Sequence, residues 1–303
     1  MVHIKPGIVC IYKPSGMTSH DVVFRVRRIF GQKAGHTGTL DPAAEGVLPV
    51  CLGAATKLAQ LMSGSDKEYR VEIIFGTETD TQDSTGNVMR GKPFLADEQA
   101  FDTAIKSFLG EYAQIPPMYS AIKVKGKKLY ELARKGVEVE REPRVVRILS
   151  ISAVKTGLPH KAELLVRCSK GAYMRTLCED IGRKLDSCAH MGRLVRTEAA
   201  GFTLSDTYDF ERLRSLADPG EAVIPIEETP ALRGLRRVRA VTERDKRLLS
   251  GGVLTPDEIT NTEGLQAGEH VLAYTSGGIL AAVYENGTEN ALKPFIMLYT
   301  EVE

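Results

Sequence analysis

The chain has 303 residues, enough for one large domain or for a main domain with a small appendage. Its net charge of +1 excludes a uniformly basic protein, and its five cysteines form no Cys-x-x-Cys pair and do not indicate a disulfide framework. Apolar runs long enough to cross a membrane, a signal peptide, nucleotide-phosphate glycine motifs and zinc-type His/Cys spacing are all missing from the sequence, so we expect a cytoplasmic protein.

The first third of the chain alternates strand-like and helix-like patterns. Residues 7–12 form a short apolar run that predicts a buried strand. Thr18 or Ser19 can cap a helix with one apolar face, which Gly31 would end. Further strands are predicted over residues 46–52 and 69–75.

The middle of the chain continues this irregular alternation. Residues 97–112 carry apolar side chains at helical spacing, and a Pro-Pro pair follows at 116–117. Strands are predicted over 145–154 and 161–168, and a helix with one apolar stripe follows Gly171. The pattern predicts an α+β fold, with a mixed, largely antiparallel sheet flanked by helices.

A domain boundary is predicted between residues 225 and 235, where prolines interrupt the chain. The tail beyond it shows a short helix capped by Thr242 with Asp245, a hairpin over 270–284 and a final strand over 294–300. We therefore predict a main domain over residues 1–229 and a small β-rich domain over residues 230–303.

The loop around Asp41 is the most informative segment, because two glycines, a histidine and two threonines surround one carboxylate followed by proline. An Asp-Pro pair often begins a helix, with Asp as the N-cap. The alternative is a loop that holds the carboxylate forward against a ligand. The neighbouring His36 and the basic segments on both sides favour the second interpretation.

Five motifs of this sequence, in this order, resemble those of the TruB family of bacterial pseudouridine synthases, which modify uridine-55 in the T-loop of tRNA. They are Lys-Pro-Ser-Gly-Met-Thr-Ser-His-Asp (13–21), Gly-Thr-Leu-Asp-Pro (38–42), Lys-Glu-Tyr (67–69), Gln-Ile-Pro-Pro-Met-Tyr-Ser-Ala-Ile-Lys (114–123) and Lys-Gly-Ala-Tyr-Met-Arg-Thr-Leu (170–177). The resemblance implies a pseudouridine synthase fold with a PUA-like RNA-binding domain at the C-terminus.

The resemblance also implies the reaction and its residues. Asp41 would be the catalytic carboxylate, Arg175 its cationic partner, and Tyr69 the ring that stacks on the flipped uracil and accepts the C5 proton. Whether Asp41 attacks C1′ or C6, or assists formation of a glycal, stays open. Because the isomerisation exchanges no electrons or external groups, it requires neither a metal nor another cofactor.

Further residues are expected to bind the substrate. His36 could stack in the space that the flipped base leaves, and Leu194 matches a family position that lines the uracil pocket. The family commonly has arginine where this chain has Val195, so no basic side chain is expected there. Tyr173 and Lys13, which belong to the shared motifs, complete the set around the uridine.

Basic residues cluster in two segments. Residues 123–147 contain nine Lys or Arg against four Glu, and residues 233–247 contain seven basic residues against two acidic ones. The first segment could close over the T-arm of tRNA, with phosphate contacts from Lys123, Lys125, Lys127 and Lys128. We expect tRNA as partner, a monomer, no obligate protein partner and no membrane.

Two alternatives belong to other classes. A non-catalytic RNA-binding module or RNA chaperone could use the same scaffold. A nucleoside or glycoside hydrolase would also use carboxylate chemistry at an anomeric carbon, but it usually needs two paired carboxylates. Glu45 is near Asp41 in sequence, yet no second carboxylate motif accompanies it.

Overall fold

The computed structural model of the protein describes residues 5–120, 122–124, 126–133, 135–137, 139–288 and 291–299, and of Lys123 and Lys128 it describes the backbone. The helices are α1 (Ser19–Phe30), α2 (Ala59–Ser63), α3 (Glu98–Lys106), α4 (Leu129–Ala133), α5 (Met174–Lys184), α6 (Phe210–Ser215) and α7 (Asp245–Leu249). The strands are β1 (Gly7–Lys13), β2 (Ala34–His36), β3 (Glu45–Leu52), β4 (Lys67–Phe75), β5 (Thr77–Thr79), β6 (Val88–Gly91), β7 (Gly110–Gln114), β8 (Lys123–Val124), β9 (Lys127–Lys128), β10 (Arg144–Gly157), β11 (Lys161–Cys168), β12 (Ala189–Ala199), β13 (Phe202–Thr203), β14 (Ile224–Pro225), β15 (Arg236–Ala240), β16 (Ile259–Thr260), β17 (His270–Tyr274), β18 (Leu280–Asn286) and β19 (Leu292–Met297).

A ten-stranded sheet forms the body of the molecule, in the order β14-β1-β3-β12-β4-β11-β10-β7, with β2 paired to β3 and β13 to β12. Only the short pairing of β12 with β3 is parallel within the described strands of this sheet. The predicted mixed, largely antiparallel sheet with flanking helices is therefore confirmed.

Helix α1 forms where its cap and its apolar stripe predict it. Thr18 and Asp21 make a reciprocal capping box, and Gly31 ends the helix in a left-handed conformation with φ of 66°. The buried face of α1 packs on Val9 and Ile11 of β1. Further along the sheet, α3 and α5 cover Val71 and Ile73 of β4 in a second apolar cluster.

A second, five-stranded sheet follows in the order β16-β15-β17-β18-β19. The sheet begins at Arg236, and its predicted hairpin is formed by β17 and β18. Leu272 and Val283 of this sheet share a core cluster with Ile8 and Leu58 of the main body, so the two sheets pack against each other. The division at 229/230 into catalytic and RNA-binding domains stays a prediction.

The structure corrects two local predictions. The helix expected over residues 97–112 ends at Lys106, because Gly110 turns the chain with φ of 90° into β7, which pairs with β10. Thr242 does not cap α7; the carboxylate of Asp245 instead accepts hydrogen bonds from the backbone N and the Oγ of Ser276, at 2.7 and 2.6 Å.

Strand β12 had no counterpart among the predicted elements, although it is central to the sheet. It joins β3 to β4 and so connects the two halves of the main body. Its sequence contains a glycine and three charged residues, which hides the strand pattern. In the described part of the chain, no helix combines the length and apolarity needed to span a membrane.

Candidate active site

Asp41 lies on the loop between β2 and β3, in a tight turn. The backbone N–H of Ala44 donates to the carbonyl of Asp41 at 3.1 Å, with Pro42 as the second residue of the turn. No helix begins at Asp41, so the N-cap interpretation is wrong. The Asp41 side chain is 42% exposed, which leaves one side of the carboxylate free to meet a substrate.

Arg175 meets Asp41 across the sheet, as predicted from the shared motifs. Its Nη2 lies 2.9 Å from Oδ2 of Asp41, and its side chain is only 5% exposed. The same Nη2 donates to the carbonyl of Tyr119 at 2.9 Å. Arg175 is the second residue of α5, and the chain entering this helix is held by two 2.8 Å bonds between Gln114 and the backbone of Tyr173. The guanidinium is therefore fixed before any substrate binds.

Tyr69 and Leu194 form the apolar wall beside this ion pair. Both side chains are buried, at 9% and 7% exposure, and both belong to the core cluster that includes Leu40 of the Asp41 loop. Burial raises the pKa of the Tyr69 phenol, while the nearby Arg196 guanidinium opposes the rise. The phenol is therefore neutral near neutral pH.

His36 and Tyr173 lie at the edges of the site. His36 ends β2, opposite Val50, and its buried Nδ1 has no hydrogen-bond partner among the residues that the structure describes. Burial and the charge of Arg196 lower the pKa of His36, so the ring is neutral at neutral pH. Burial raises the pKa of the Tyr173 phenol, which interacts electrostatically with Arg175 and Asp41.

Lys13 does not reach the surface, so its predicted contact with substrate needs correction. The residue is fully buried, and its Nζ donates to the carbonyls of Pro14, Pro42 and Ala44 at 2.9, 3.1 and 2.6 Å. All three N–H groups of the ammonium are thus used within the protein. Lys13 supports the loop that carries Asp41 and has no N–H left for RNA.

Ser19 provides the second support of this loop. Its Oγ accepts from the backbone N–H of Leu40 at 2.9 Å and donates to the carbonyl of Leu40 at 3.1 Å. Ser19 is the first residue of α1, so the helix end and the loop are tied together. The neighbouring His20, which the motif suggested as a brace, is exposed.

The basic segment after the Pro-Pro pair forms the short hairpin β8–β9 and the helix α4. It begins beside the site, because Tyr119 contacts Arg175 and Tyr130 donates its backbone N–H to the carbonyl of Ser120 at 3.1 Å. Lys127 is exposed. Lys125 and the side chains of Lys123 and Lys128 lie outside the described part of the structure.

Sequence reasoning missed Arg196. Its guanidinium bonds to the backbone of the Asp41 loop and interacts with the Tyr69 phenol. The signal was present, because Arg196 stands two positions after Leu194, and alternate residues of a strand point to the same face. Without the prediction of β12, this alternation could not be used.

A second carboxylate does not join Asp41. Glu45 accepts from the Tyr12 hydroxyl at 2.7 Å and from Arg193 at 2.9 and 3.2 Å, which engages both of its oxygens. Within the described ranges, no group of three or more His, Cys, Asp or Glu side chains is placed to hold a metal ion.

Comparison with known proteins identifies the family. The family model of the N-terminal domain of TruB family pseudouridylate synthases matches residues 27–174, and that of the tRNA pseudouridylate synthase B C-terminal domain matches residues 175–228. The chain belongs to the TruB family. The predicted family and the predicted isomerase class are thereby confirmed. The C-terminal family domain of TruB contains β12, so in this fold it is part of the first sheet.

Relatives resemble the chain over most of its length. The tRNA pseudouridine synthase B of Bacillus subtilis (strain 168) is 39% identical over 311 aligned residues, covering 98% of this chain and 99% of the relative. The protein of the same name from Alkaliphilus oremlandii is 42% identical over 269 residues, covering 88% and 89%. That of Pelotomaculum thermopropionicum is 52% identical over 221 residues, covering 71% and 70%.

Solved structures share the fold. A chain in a Cbf5-Nop10-Gar1 complex superposes with a TM-score of 0.72 at 24% identity, covering 98% of this chain and 86% of that chain. A chain in an H/ACA RNP bound to a substrate RNA containing 2′-deoxyuridine gives a TM-score of 0.71 at 22% identity, with the same coverage. The predicted TruB-like α+β fold is therefore confirmed.

Proposed function

We propose that this protein isomerises uridine-55 in the T-loop of tRNA to pseudouridine, acting as a monomer without an obligate protein partner. The observation that carries the proposal is the Asp41–Arg175 pair, held at 2.9 Å beside the apolar wall of Tyr69 and Leu194. The relatives named tRNA pseudouridine synthase B support tRNA as the substrate.

Asp41 is the proposed catalytic carboxylate. Arg175 donates to one of its oxygens from a buried position, and the partly exposed side of the carboxylate faces the incoming nucleotide. Such an oxygen can attack a carbon of the substrate, at C1′ or C6, or assist formation of a glycal. In each case the N1–C1′ bond breaks, the uracil turns, and C5 bonds to C1′ while its proton leaves and N1 gains one.

The uracil has to leave the T-loop stack to reach Asp41. The neutral ring of His36 lies at the site edge, where it can stack in the vacated space. Tyr69, Leu194 and Tyr173 would surround the extruded base. Tyr69 is the proposed acceptor of the C5 proton, and its buried phenol needs a nearby cation for that role.

Two surfaces would hold the rest of the tRNA. The segment 123–147 would place Lys123, Lys125, Lys127 and Lys128 against T-arm phosphates, since it begins at Tyr119 beside the site. Residues 230–303 would act as a PUA-like RNA-binding domain, with 1–229 as the catalytic domain. The exposed arginines of β15 support an RNA-facing surface there.

The test uses an unmodified tRNA transcript tritiated at uracil C5, with chelator present and no cofactor. We expect about one tritium released to water per tRNA, and none when the T-loop uridine is replaced by cytidine. Asp41→Asn should lower release by about 10⁴-fold or more while tRNA binding stays within a few-fold, because the amide is a poor nucleophile.

Other outcomes would support the alternatives. Tight, salt-sensitive tRNA binding without release would support the RNA-binding or chaperone function. Release of free uracil would indicate a hydrolase. Turnover by Asp41→Asn close to that of the wild type would contradict the role of Asp41 and leave the overall reaction in place.

A further inference from the structure

Arg196 is the largest fully buried side chain of the described structure, at 1% exposure. An isolated guanidinium is costly to remove from water unless its N–H groups are satisfied. No carboxylate lies within ion-pair distance of Arg196 among the described residues. Its charge is therefore compensated by something other than a salt bridge.

Backbone carbonyls of the Asp41 loop provide this compensation. Nε of Arg196 donates to Val47 at 2.8 Å, Nη2 to Gly38 at 3.1 Å and Nη1 to Thr39 at 3.4 Å. Two of these carbonyls precede Asp41 and one follows it. A single side chain on the central strand β12 thus ties both ends of the loop.

The same guanidinium meets the second half of the site. Arg196 is the cross-strand partner of Tyr69 on β4 and of Gly46 on β3. Its guanidinium interacts with the Tyr69 phenol. Space for it comes from Gly38, where an added Cβ would lie 3.6 Å from Nη1. Arg196 therefore lies where the elements carrying Asp41 and Tyr69 meet.

We propose that Arg196 is a positioning residue that sets the Asp41 loop and the Tyr69 phenol relative to each other. It acts through these groups and does not touch the substrate. The inference rests on the proposed roles of Asp41 and Tyr69. Because small misplacements of reacting groups cost orders of magnitude in rate, losing this tie slows the chemical step and leaves tRNA affinity nearly unchanged.

The experiment compares Arg196→Lys and Arg196→Met with Leu213→Ala. Lysine keeps the positive charge but presents one ammonium, which cannot reproduce the planar fork over three carbonyls. Methionine removes the charge. Leu213 is fully buried in the α1 cluster, away from the loop, so Leu213→Ala serves as a control that lowers stability by packing alone.

Tritium release is measured with enzyme in excess over tRNA, and tRNA affinity by filter binding. We expect Arg196→Lys to be about 10-fold slower and Arg196→Met about 100-fold slower, with the Kd for tRNA within about threefold. Leu213→Ala should release tritium at the wild-type rate at temperatures where it is folded. Amide hydrogen exchange of the peptide 38–47 should be faster in both Arg196 variants and unchanged in Leu213→Ala.

Three results would overturn the proposal: release by both Arg196 variants within threefold of the wild type, a loss confined to tRNA affinity, or unchanged exchange over residues 38–47. If Arg196→Met does not fold, Arg196→Lys decides by the same criteria. Failure of the catalytic role is separately visible, because Asp41→Asn would then stay active, whereas loop exchange reports on Arg196 without any turnover.

Discussion

At the scale of single residues, the site is built by buried cations that bond to backbone carbonyls. Lys13, Arg175 and Arg196 are each less than 5% exposed, and each donates to carbonyls on or beside the loops around the site. Of these three described side chains, only Arg175 also contacts a carboxylate, that of Asp41. The sequence motifs indicated that these residue types matter, and the structure separates the two that hold the loop from the one that faces Asp41.

The Tyr69 hydroxyl can be separated from the Tyr69 ring. Tyr69→Phe keeps the stacking surface and removes the oxygen that would accept the C5 proton. We expect the rate of tritium release to fall by about 10²–10⁴-fold, the usual contribution of general acid–base catalysis, with tRNA affinity within a few-fold. Single-turnover release measures the first quantity and filter binding the second. Release at the wild-type rate would mean that another group or water takes the proton.

At the scale of elements, the pairing that completes the site is the parallel one between β3 and β12. It brings Gly46 against Arg196, and a Cβ on Gly46 would lie 2.2 Å from the carbonyl oxygen of Arg196. Gly46 also has φ of 105°, a conformation that other residues rarely adopt. Glycine at this position therefore lets the catalytic loop begin and end on the central strand.

Gly46→Ala should separate β3 from β12. We expect a loss of about 2 kcal/mol or more in the free energy of unfolding, from steric overlap and backbone strain, together with loss of tritium release. Gly91→Ala is the matched control, because Gly91 is an exposed strand glycine whose added Cβ would meet its nearest atom at 3.6 Å. Urea unfolding of both variants gives the comparison, and equal stability of the two would contradict this account.

The segment 123–147 is a second element with its own prediction. Replacing Lys125, Lys127 and Lys128 with glutamine should weaken tRNA binding and lower the slope of log affinity against log salt by about one for each phosphate that the segment no longer binds. The control is Lys106→Gln on α3, an exposed lysine already paired with Asp102 at 2.5 Å. Filter binding across a salt series measures the slopes. A slope equal to that of the wild type would exclude phosphate binding by this segment.

At the scale of the whole molecule, the two sheets share one apolar cluster. Leu272 and Val283 of the second sheet are fully buried with Ile8 and Leu58 of the first. A module that contributed only RNA contacts would not need such a core. We therefore expect the two sheets to unfold together.

Leu272→Ala tests this coupling. The cavity should lower the free energy of unfolding by about 2–5 kcal/mol while calorimetry still shows one transition, shifted as a whole. Ile279→Ala, at a 53% exposed position of the same module, should change stability by less than about 0.5 kcal/mol. Two separate transitions, with only one shifted by Leu272→Ala, would show that the modules are independent.

The sequence by itself determined the family, the α+β class and the candidate residues Asp41, Tyr69 and Arg175, because motifs, caps and apolar periodicity are local properties of the chain. Tertiary structure decided which of the motif residues face the substrate and which hold the loop, as Lys13 shows. It also placed Arg196, since β12 has a weak local pattern and acquires its role by pairing with β3 and β4. Pairing between distant segments depends on the packing of the whole chain, and no window of sequence contains that information.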